Sequence, residues 1–358
     1  MKFADDTTLI GLISDEDESV YREYQTMETL NEAELCFPTL NKSCRRTPQP
    51  ELETTIIYIL LSVIIVMTVV LNLLVIISIA HFRQLHNCTN FLLLSLAVAD
   101  FLIGLLPMPL QSFYYRGCWL LGNIPCAVHI ISGYFLVNVS CLNMTLISFD
   151  RYTAICGPMQ YHTRVTIPRV QACICLCWFS CFVHISWVMR DFVKHLDIYN
   201  TCVGQCVLVL VHPVEGIVDI LFFLAVPFTV ITVLYLGVFT VAVSQARAIR
   251  SQITSLALQT SGTKAKKMEL KAAKTLGVLV IVFIICSSPY YAFTLTAENG
   301  KIDLLSGSVE VWLILFNSCM NPIIYAMCYP WYRRSIKHII TLQILKPGSR
   351  DINILLDL

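Results

Sequence analysis

The chain has 358 residues, 56% of them hydrophobic and only 14% charged, with a mean hydropathy of +0.68, whereas soluble domains are roughly a quarter charged. Water is not its main solvent. A net charge of +1, with no basic block among aromatics, leaves nothing to hold nucleic acid, and the absence of GxSxG, HExxH and P-loop patterns argues against an enzyme or a cofactor.

Residues 1–53 are polar, carry an acidic run at 15–18 and lack an apolar signal core, so they are expected to be a solvated tail. The sequon Asn41-Lys42-Ser43 makes Asn41 the candidate glycosylation site. Seven apolar stretches follow, at 54–80, 90–113, 126–149, 170–189, 216–243, 272–295 and 309–328. Each has about the 20 residues needed to cross a hydrocarbon core of about 30 Å. The predicted fold class is an all-α membrane protein, a seven-transmembrane helix bundle over 54–329. A short amphipathic helix and a cytoplasmic tail are expected over 330–358.

Connections on alternate sides differ in charge. One set carries Arg83, Arg164, Arg169, Arg247, Arg250 and five lysines from Lys264 to Lys274, while the other carries Arg116, Arg190, Lys194 and Lys301. The positive-inside rule then places the amino terminus outside a plasma membrane. After the seventh stretch, Arg333 and Arg334 open a basic segment expected to lie along membrane lipid. No internal repeat supports a transporter. Of the 16 cysteines, those inside apolar runs, such as Cys173, Cys175, Cys177 and Cys181, are expected to behave as small buried hydrophobes, leaving the others as disulfide candidates.

Polar residues recur one group per span and in order: Asn72, Asp100, Asp150-Arg151-Tyr152, Trp178, Pro227 with Tyr235, Pro289, and Asn321-Pro322-Ile323-Ile324-Tyr325. This set resembles the signature of rhodopsin-like G protein-coupled receptors. The last span is closer still: from Asn317-Ser318 through Tyr329-Pro330-Trp331-Tyr332 it resembles the fingerprint of trace amine-associated receptors. The cysteines flanking the sequon, and Cys202 and Cys206 in the second outer loop, are similar to that family too.

The resemblance implies a fish-type olfactory receptor for volatile amines, coupled to a stimulatory heterotrimeric G protein (Gs/Golf) that raises cyclic AMP. It implies a disulfide between Cys126 and Cys206, and a second from Cys202 to Cys36, with Cys44 as the alternative. Asp100 lies at mid-depth, where an ionised carboxylate costs about 2.5–3.5 kcal/mol or more without a partner. The family implies a sodium ion there, with oxygens from Ser140, Asn317 and Asn321; hydrogen-bonded neutral Asp100 is the other reading. Arg151 is expected to pair with Asp150 and Glu269 as a lock, with Tyr152 beside them, and with Tyr235 and Tyr325 moving when it opens. Pro227, Pro289 and Pro322 are candidate pivots. Ser287 stands where family members usually have tryptophan, so Phe283 or Tyr290 is expected to carry the movement instead.

Most amine receptors of this class hold the ammonium with an aspartate seven residues after the third-span cysteine, a position occupied here by Gly133. The fifth span instead carries Asp219, about two turns before Pro227, and some fish members of the family have an aspartate at the matching position. Asp219 is therefore the expected counter-ion of a ligand cation, because an acid without a basic neighbour in its own span is costly unless a partner is supplied. Glu215, four residues earlier on the same face, would suit a second ammonium. Tyr134, Tyr290, Tyr291, Phe293 and Trp312 are candidate aromatic walls. The competing expectation is an odorant receptor for a non-amine ligand, with Asp219 structural. A retinal pigment would need a lysine in the seventh span, and the neighbours of Leu315 provide none.

Overall fold

The computed structural model describes residues 34–40, 42–46, 51–114, 118–194, 202–204, 206, 208–209, 214, 218, 220–255, 277–289, 301–302 and 308–354. The helices that carry the bundle are α1 (Glu51–His81), α2 (Cys88–Leu105), α3 (Asn123–Cys156), α4 (Ile167–Val188), α5 (Val226–Ser255), α6 (Gly277–Pro289) and α7 (Ser308–Cys328). After them comes α8 (Pro330–Ile340). Among the described residues, five stretches are long and apolar enough to cross a membrane: Glu51–His81, Cys88–Phe113, Asn123–Cys156, Ile167–Val188 and Val311–Cys328. Val226–Val241 and Gly277–Pro289 supply the shorter described parts of the remaining two spans.

Local chemistry sets several boundaries. Asn87 accepts from the Asn90 backbone N–H at 2.9 Å and caps α2. Proline opens α4 and α8, where a missing N–H costs nothing. Pro107 cannot donate back along α2, so the chain turns at Leu106 and resumes as a separate helix, Pro107–Tyr114, inside the stretch read as one span. α5 is preceded by a π-helical segment, Ile220–Ala225, and extends to Ser255, beyond the apolar stretch that ended at 243. α3 likewise runs past Arg151 to Cys156.

Apolar side chains cover the bundle's outside as well as its core. Ile56, Ile59, Leu60 and Val63 on α1 and Phe179 and Phe182 on α4 are all more than half exposed, which is stable only against lipid. Polar side chains turn inward: Asn72, Asp100, Asn143 and Asn321 are fully buried. Asn72 donates to the Ser318 carbonyl of α7 at 3.0 Å, and Trp178 Nε1 of α4 donates to Ser95 Oγ of α2 at 3.0 Å. Each bond ties two spans together where no water competes.

α1 and α2 approach closely at Gly104, where an added Cβ would lie 2.9 Å from Val69 Cγ2 and 3.1 Å from Thr68 Cγ2. Gly104→Val is expected to wedge the pair apart and destabilise by about 1–3 kcal/mol. A thermal-shift measurement on detergent-solubilised receptor checks this.

Two segments outside the bundle are folded, one within the stretch 1–53 expected as a solvated tail and one after α8. Strands β1 (Glu34–Leu35) and β2 (Arg45–Arg46) pair antiparallel as a hairpin, with Glu34 opposite Arg46 and Leu35 opposite Arg45. A second two-residue pair joins β3 (Leu208–Val209) to β4 (Lys301–Ile302). At the other terminus, the chain after α8 folds back onto the turn between α1 and α2: Ile354 is 2% exposed and Arg83 meets Asp351 at 3.4 Å.

Candidate functional site

At one end of the bundle, three disulfides hold the hairpin and two loops. Cys126 bonds Cys206, with Cα atoms 5.7 Å apart, and both are buried in a cluster with Trp119, Ile130 and Ile185. The expected Cys36–Cys202 link does not form: Cys44 bonds Cys202 and Cys36 bonds Cys118. Backbone pairing is the cause. Cys44 N–H donates to the Val203 carbonyl at 2.9 Å and Val203 N–H donates to Lys42 O at 2.7 Å, which brings Cys44 beside Cys202. On the far side, Trp119 N–H donates to Gly204 O at 2.7 Å and carries Cys118 towards Cys36. Gly204, at φ +107°, lets the strands close; a Cβ there would lie 3.0 Å from Cys36 Cβ. The sequence held one usable signal: Cys118 makes the cysteines outside the apolar runs at this end an even set of six, with Cys36, Cys44, Cys126, Cys202 and Cys206. Asn41 lies outside the described residues, although Lys42 and Ser43 beside it belong to the hairpin.

Below the disulfides, Tyr134 packs at the edge of the Trp119–Cys126 cluster. Trp312 packs with Ile103, Met108 and Leu136, and Phe135 borders both groups. Trp312 Nε1 is buried without a partner among the described residues. Among the described residues, a Cβ on Gly133 would meet only Pro107 Cβ, at 3.6 Å, an ordinary contact. The other expected ligand residues, Asp219, Glu215, Tyr290, Tyr291 and Phe293, lie outside the described residues, as does Glu269. Asp219 immediately precedes the π-helical segment Ile220–Ala225.

At mid-depth, the Asp100 carboxylate accepts three hydrogen bonds. Ser140 Oγ and Ser318 Oγ each donate to Oδ1 at 2.8 Å, and Asn321 Nδ2 donates to Oδ2 at 2.7 Å. Spans α2, α3 and α7 thus meet on one side chain. Ser318 was not anticipated, although its spacing from Asn321 on α7 could have singled it out. Asn317 makes no described bond to Asp100; its Oδ1, like those of Asn72 and Asn321, is buried without a partner among the described residues. Ser287, also fully buried, has a hydroxyl with no partner among the described residues, and Phe283 lies against Phe228 with ring centroids 5.3 Å apart.

At the opposite end, Asp150 is surrounded by donors. Arg151 donates Nε to Asp150 Oδ2 at 2.9 Å and directs Nη2 to Asp150 and Thr89. Thr89 Oγ1 donates to Asp150 Oδ2 at 2.9 Å, and Tyr161 OH donates to Oδ1 at 2.7 Å. Tyr161 sits on the short helix Pro158–Arg164. Burial, then the Asp150 carboxylate, pushes its phenol up to about 12, so it stays protonated and donating. Neither Thr89 nor Tyr161 was visible in the sequence, because both reach Asp150 from other elements. Tyr152 lies against α5, where a Cβ on Gly237 would meet its ring at 2.9 Å. The hydroxyls of Tyr235 and Tyr325 are buried without partners among the described residues. Pro322 lies within α7. Beside this cluster opens a cavity of about 580 Å³, lined among others by Gln84, Cys88, Arg151, Tyr161, Ile167 and Trp331.

The arrangement is a helix bundle with a disulfide-capped end, a polar joint at Asp100, and an arginine held beside a cavity at the other end. Comparison with known proteins agrees with this shape. Residues 71–325 match the 7 transmembrane receptor (rhodopsin family) model. The chain is similar to mouse trace amine-associated receptor 4, 36% identical over 89% of this chain and 94% of that receptor. It is 34% identical to trace amine-associated receptor 13c of Danio rerio, over 90% of this chain and 96% of that one. Rat trace amine-associated receptor 7c is 36% identical over 95% and 96% of the two chains.

Proposed function

The chain belongs to the trace amine-associated receptors of the rhodopsin family of seven-transmembrane receptors, and from that premise we propose an olfactory plasma-membrane receptor that binds a small volatile amine through Asp219 and activates a stimulatory G protein. Membership makes it a multi-pass membrane receptor rather than an enzyme. The amino terminus faces outward in this reading. Three disulfides at one end call for an oxidising compartment, and the basic loops belong to the other side.

One observation carries the ligand assignment: the acid of the fifth span stands directly before a π-helical segment, while the third span has Gly133 where an acid would fit without crowding. Widened turns of this kind are frequent at functional sites. In this reading an ammonium group completes the Asp219 carboxylate, Tyr134 and Trp312 offer it aromatic walls, and Glu215 meets a second ammonium in a diamine. The test is a panel of amines and neutral odorants scored by cyclic AMP in transfected cells. Responses confined to neutral compounds would sink the amine reading and leave Asp219 structural.

Asp100 fits a sodium ion. The Asp100 carboxylate and Ser140 Oγ are oxygen donors already in contact, and the buried side-chain oxygens of Asn317 and Asn321, without partners among the described residues, are the further oxygens that would hold the ion. The ion would supply the positive charge that offsets an ionised Asp100. Replacing sodium by potassium is expected to raise amine potency in the native receptor and to leave potency unchanged in Asp100→Asn. Concentration–response curves in the two buffers check this.

Activation at the other end consists of releasing Arg151. Its bonds to Asp150 and Thr89 hold α3 to α2, and Tyr161 holds the following loop to the same carboxylate. Once released, the guanidinium turns to the G protein, while Tyr235 and Tyr325 find partners for their hydroxyls.

A further inference from the structure

Towards the disulfide-capped end, three side chains carry buried polar atoms without partners among the described residues: both ends of the Gln111 amide, His129 Nδ1 and Trp312 Nε1. Gln111 is 0% exposed and His129 4%. Deeper in the bundle, the buried amides of Asn72 and Asn143 each return an N–H to the carbonyl four residues back, whereas Gln111 leaves donor and acceptor alike unpaired. A buried group in that state has lost its hydration and gained nothing for it, so such a cluster asks for a partner from outside the chain.

The backbone brings these groups together. Pro107 opens the helix Pro107–Tyr114 and faces α3: a Cβ on Gly133 would meet its Cβ at 3.6 Å, and the His129 ring bonds its backbone. His129 and Gly133, four residues apart, share one face of α3, and Pro107 and Gln111 share one face of theirs. The two helices run in opposite directions. Gln111, one turn outward from Pro107, therefore stands level with His129, one turn outward from Gly133. Met108, three residues before Gln111, belongs to the cluster against which Trp312 of α7 packs. Trp119 stacks on the His129 ring, with centroids 5.8 Å apart, and fixes its plane.

The donor and acceptor pattern selects the ligand group. Proline has no N–H, so the imidazole must donate to the Pro107 carbonyl. Nδ1 has no partner, which makes Nε2 the donor and leaves a lone pair on Nδ1 of the uncharged ring. Gln111 adds two N–H donors and a carbonyl, and Trp312 adds one N–H. An ammonium can only donate and would face the N–H groups of Gln111 and Trp312. A carboxylate can only accept and would face the Nδ1 lone pair and the Gln111 carbonyl. A hydroxyl does both, donating to Nδ1 while accepting from Gln111 Nε2.

We propose that Gln111 and His129, with Trp312 beside them, form a subsite for the hydroxyl of an amino alcohol whose ammonium lies at Asp219. The hydroxyl subsite stands on the placement of these side chains; that the same ligand carries an ammonium rests on the amine reading.

The test is a ladder of ω-amino alcohols of increasing length, each beside the alkylamine and the neutral alcohol of the same length, scored by cyclic AMP in transfected cells with surface labelling. At one length the amino alcohol should be roughly tenfold more potent than the alkylamine. Gln111→Leu and His129→Phe, the latter keeping a ring to stack on Trp119, should each erase that advantage. In purified receptor without ligand, Gln111→Leu should raise the melting temperature, because the unpaired amide is gone. A lowered melting temperature would mean that internal water already pairs the amide, and would overturn the subsite. Equal potency of amino alcohol and alkylamine at every length, with Asp219→Asn abolishing both, would overturn the subsite and leave the amine reading standing. Responses to neutral alcohols that survive Asp219→Asn but are lost in Gln111→Leu would keep the subsite and overturn the amine reading.

Discussion

Asp219→Asn is expected to abolish amine responses while leaving the receptor at the cell surface. The substitution keeps size and hydrogen bonding but removes the charge, so folding has little reason to fail. Removing one partner of a desolvated charge pair costs about 2–5 kcal/mol. At about 1.4 kcal/mol per tenfold, potency falls by at least about 30-fold. Cyclic AMP concentration–response curves, read beside surface labelling of the same cells, separate loss of binding from loss of receptor. Retained potency would remove the amine assignment. The complementary variant, Gly133→Asp with Asp219→Ala, moves the carboxylate across the cavity. The space at Gly133 admits a side chain, since Pro107 at 3.6 Å is the only neighbour a Cβ would meet among the described residues. Its amine profile should shift, and an unchanged profile would count against the two positions sharing a cavity.

Cys126→Ser is expected to remove most receptor from the surface, whereas Cys44→Ser leaves a folded receptor whose hairpin stays tethered through Cys36–Cys118. Loop length alone would rank them the other way, because the Cys44–Cys202 link closes a separation of 158 residues and Cys126–Cys206 one of 80. Chain entropy, typically about 2–4 kcal/mol per disulfide, is a poor guide here, because membrane-inserted spans limit the freedom of the unbridged chain. Burial decides instead. Cys126 and Cys206 are 6% and 0% exposed within an apolar cluster, whereas Cys44, though buried, and half-buried Cys202 belong to no such cluster, and Cys36–Cys118 holds the same small hairpin. Surface labelling with a conformation-insensitive tag distinguishes the two. Equal loss in both variants would show that the hairpin, too, is needed for folding.

The cysteines also show where sequence reasoning stopped. That Cys126 lies just beyond a span, and Cys206 in the next loop on the same side, follows from hydropathy alone. Which partner Cys202 takes depends on the register of Cys44 against Val203, two backbone bonds that leave no trace in composition. Asp150 and Arg151 are neighbours in the chain, so their pairing could be read directly. The other two donors on Asp150 arrive from α2 and from the helix Pro158–Arg164, 61 and 11 residues away. At Asp100, Asn321 was identifiable by its place in a recognisable run, whereas Ser318 joins because α7 turns that face towards α2.

By itself, then, the sequence determined that this chain crosses a membrane seven times and which receptor family it joins. Span length and the order of inward polar residues are local properties, and lipid enforces them on every turn of helix. Only the tertiary structure decided the partners of Cys36, Cys44 and Cys202, the approach of Ser318 to Asp100 and of Thr89 and Tyr161 to Asp150, and the return of the chain after α8 to Gln84. Those are meetings between distant residues, settled by how loops and helix faces pack once the spans are in place.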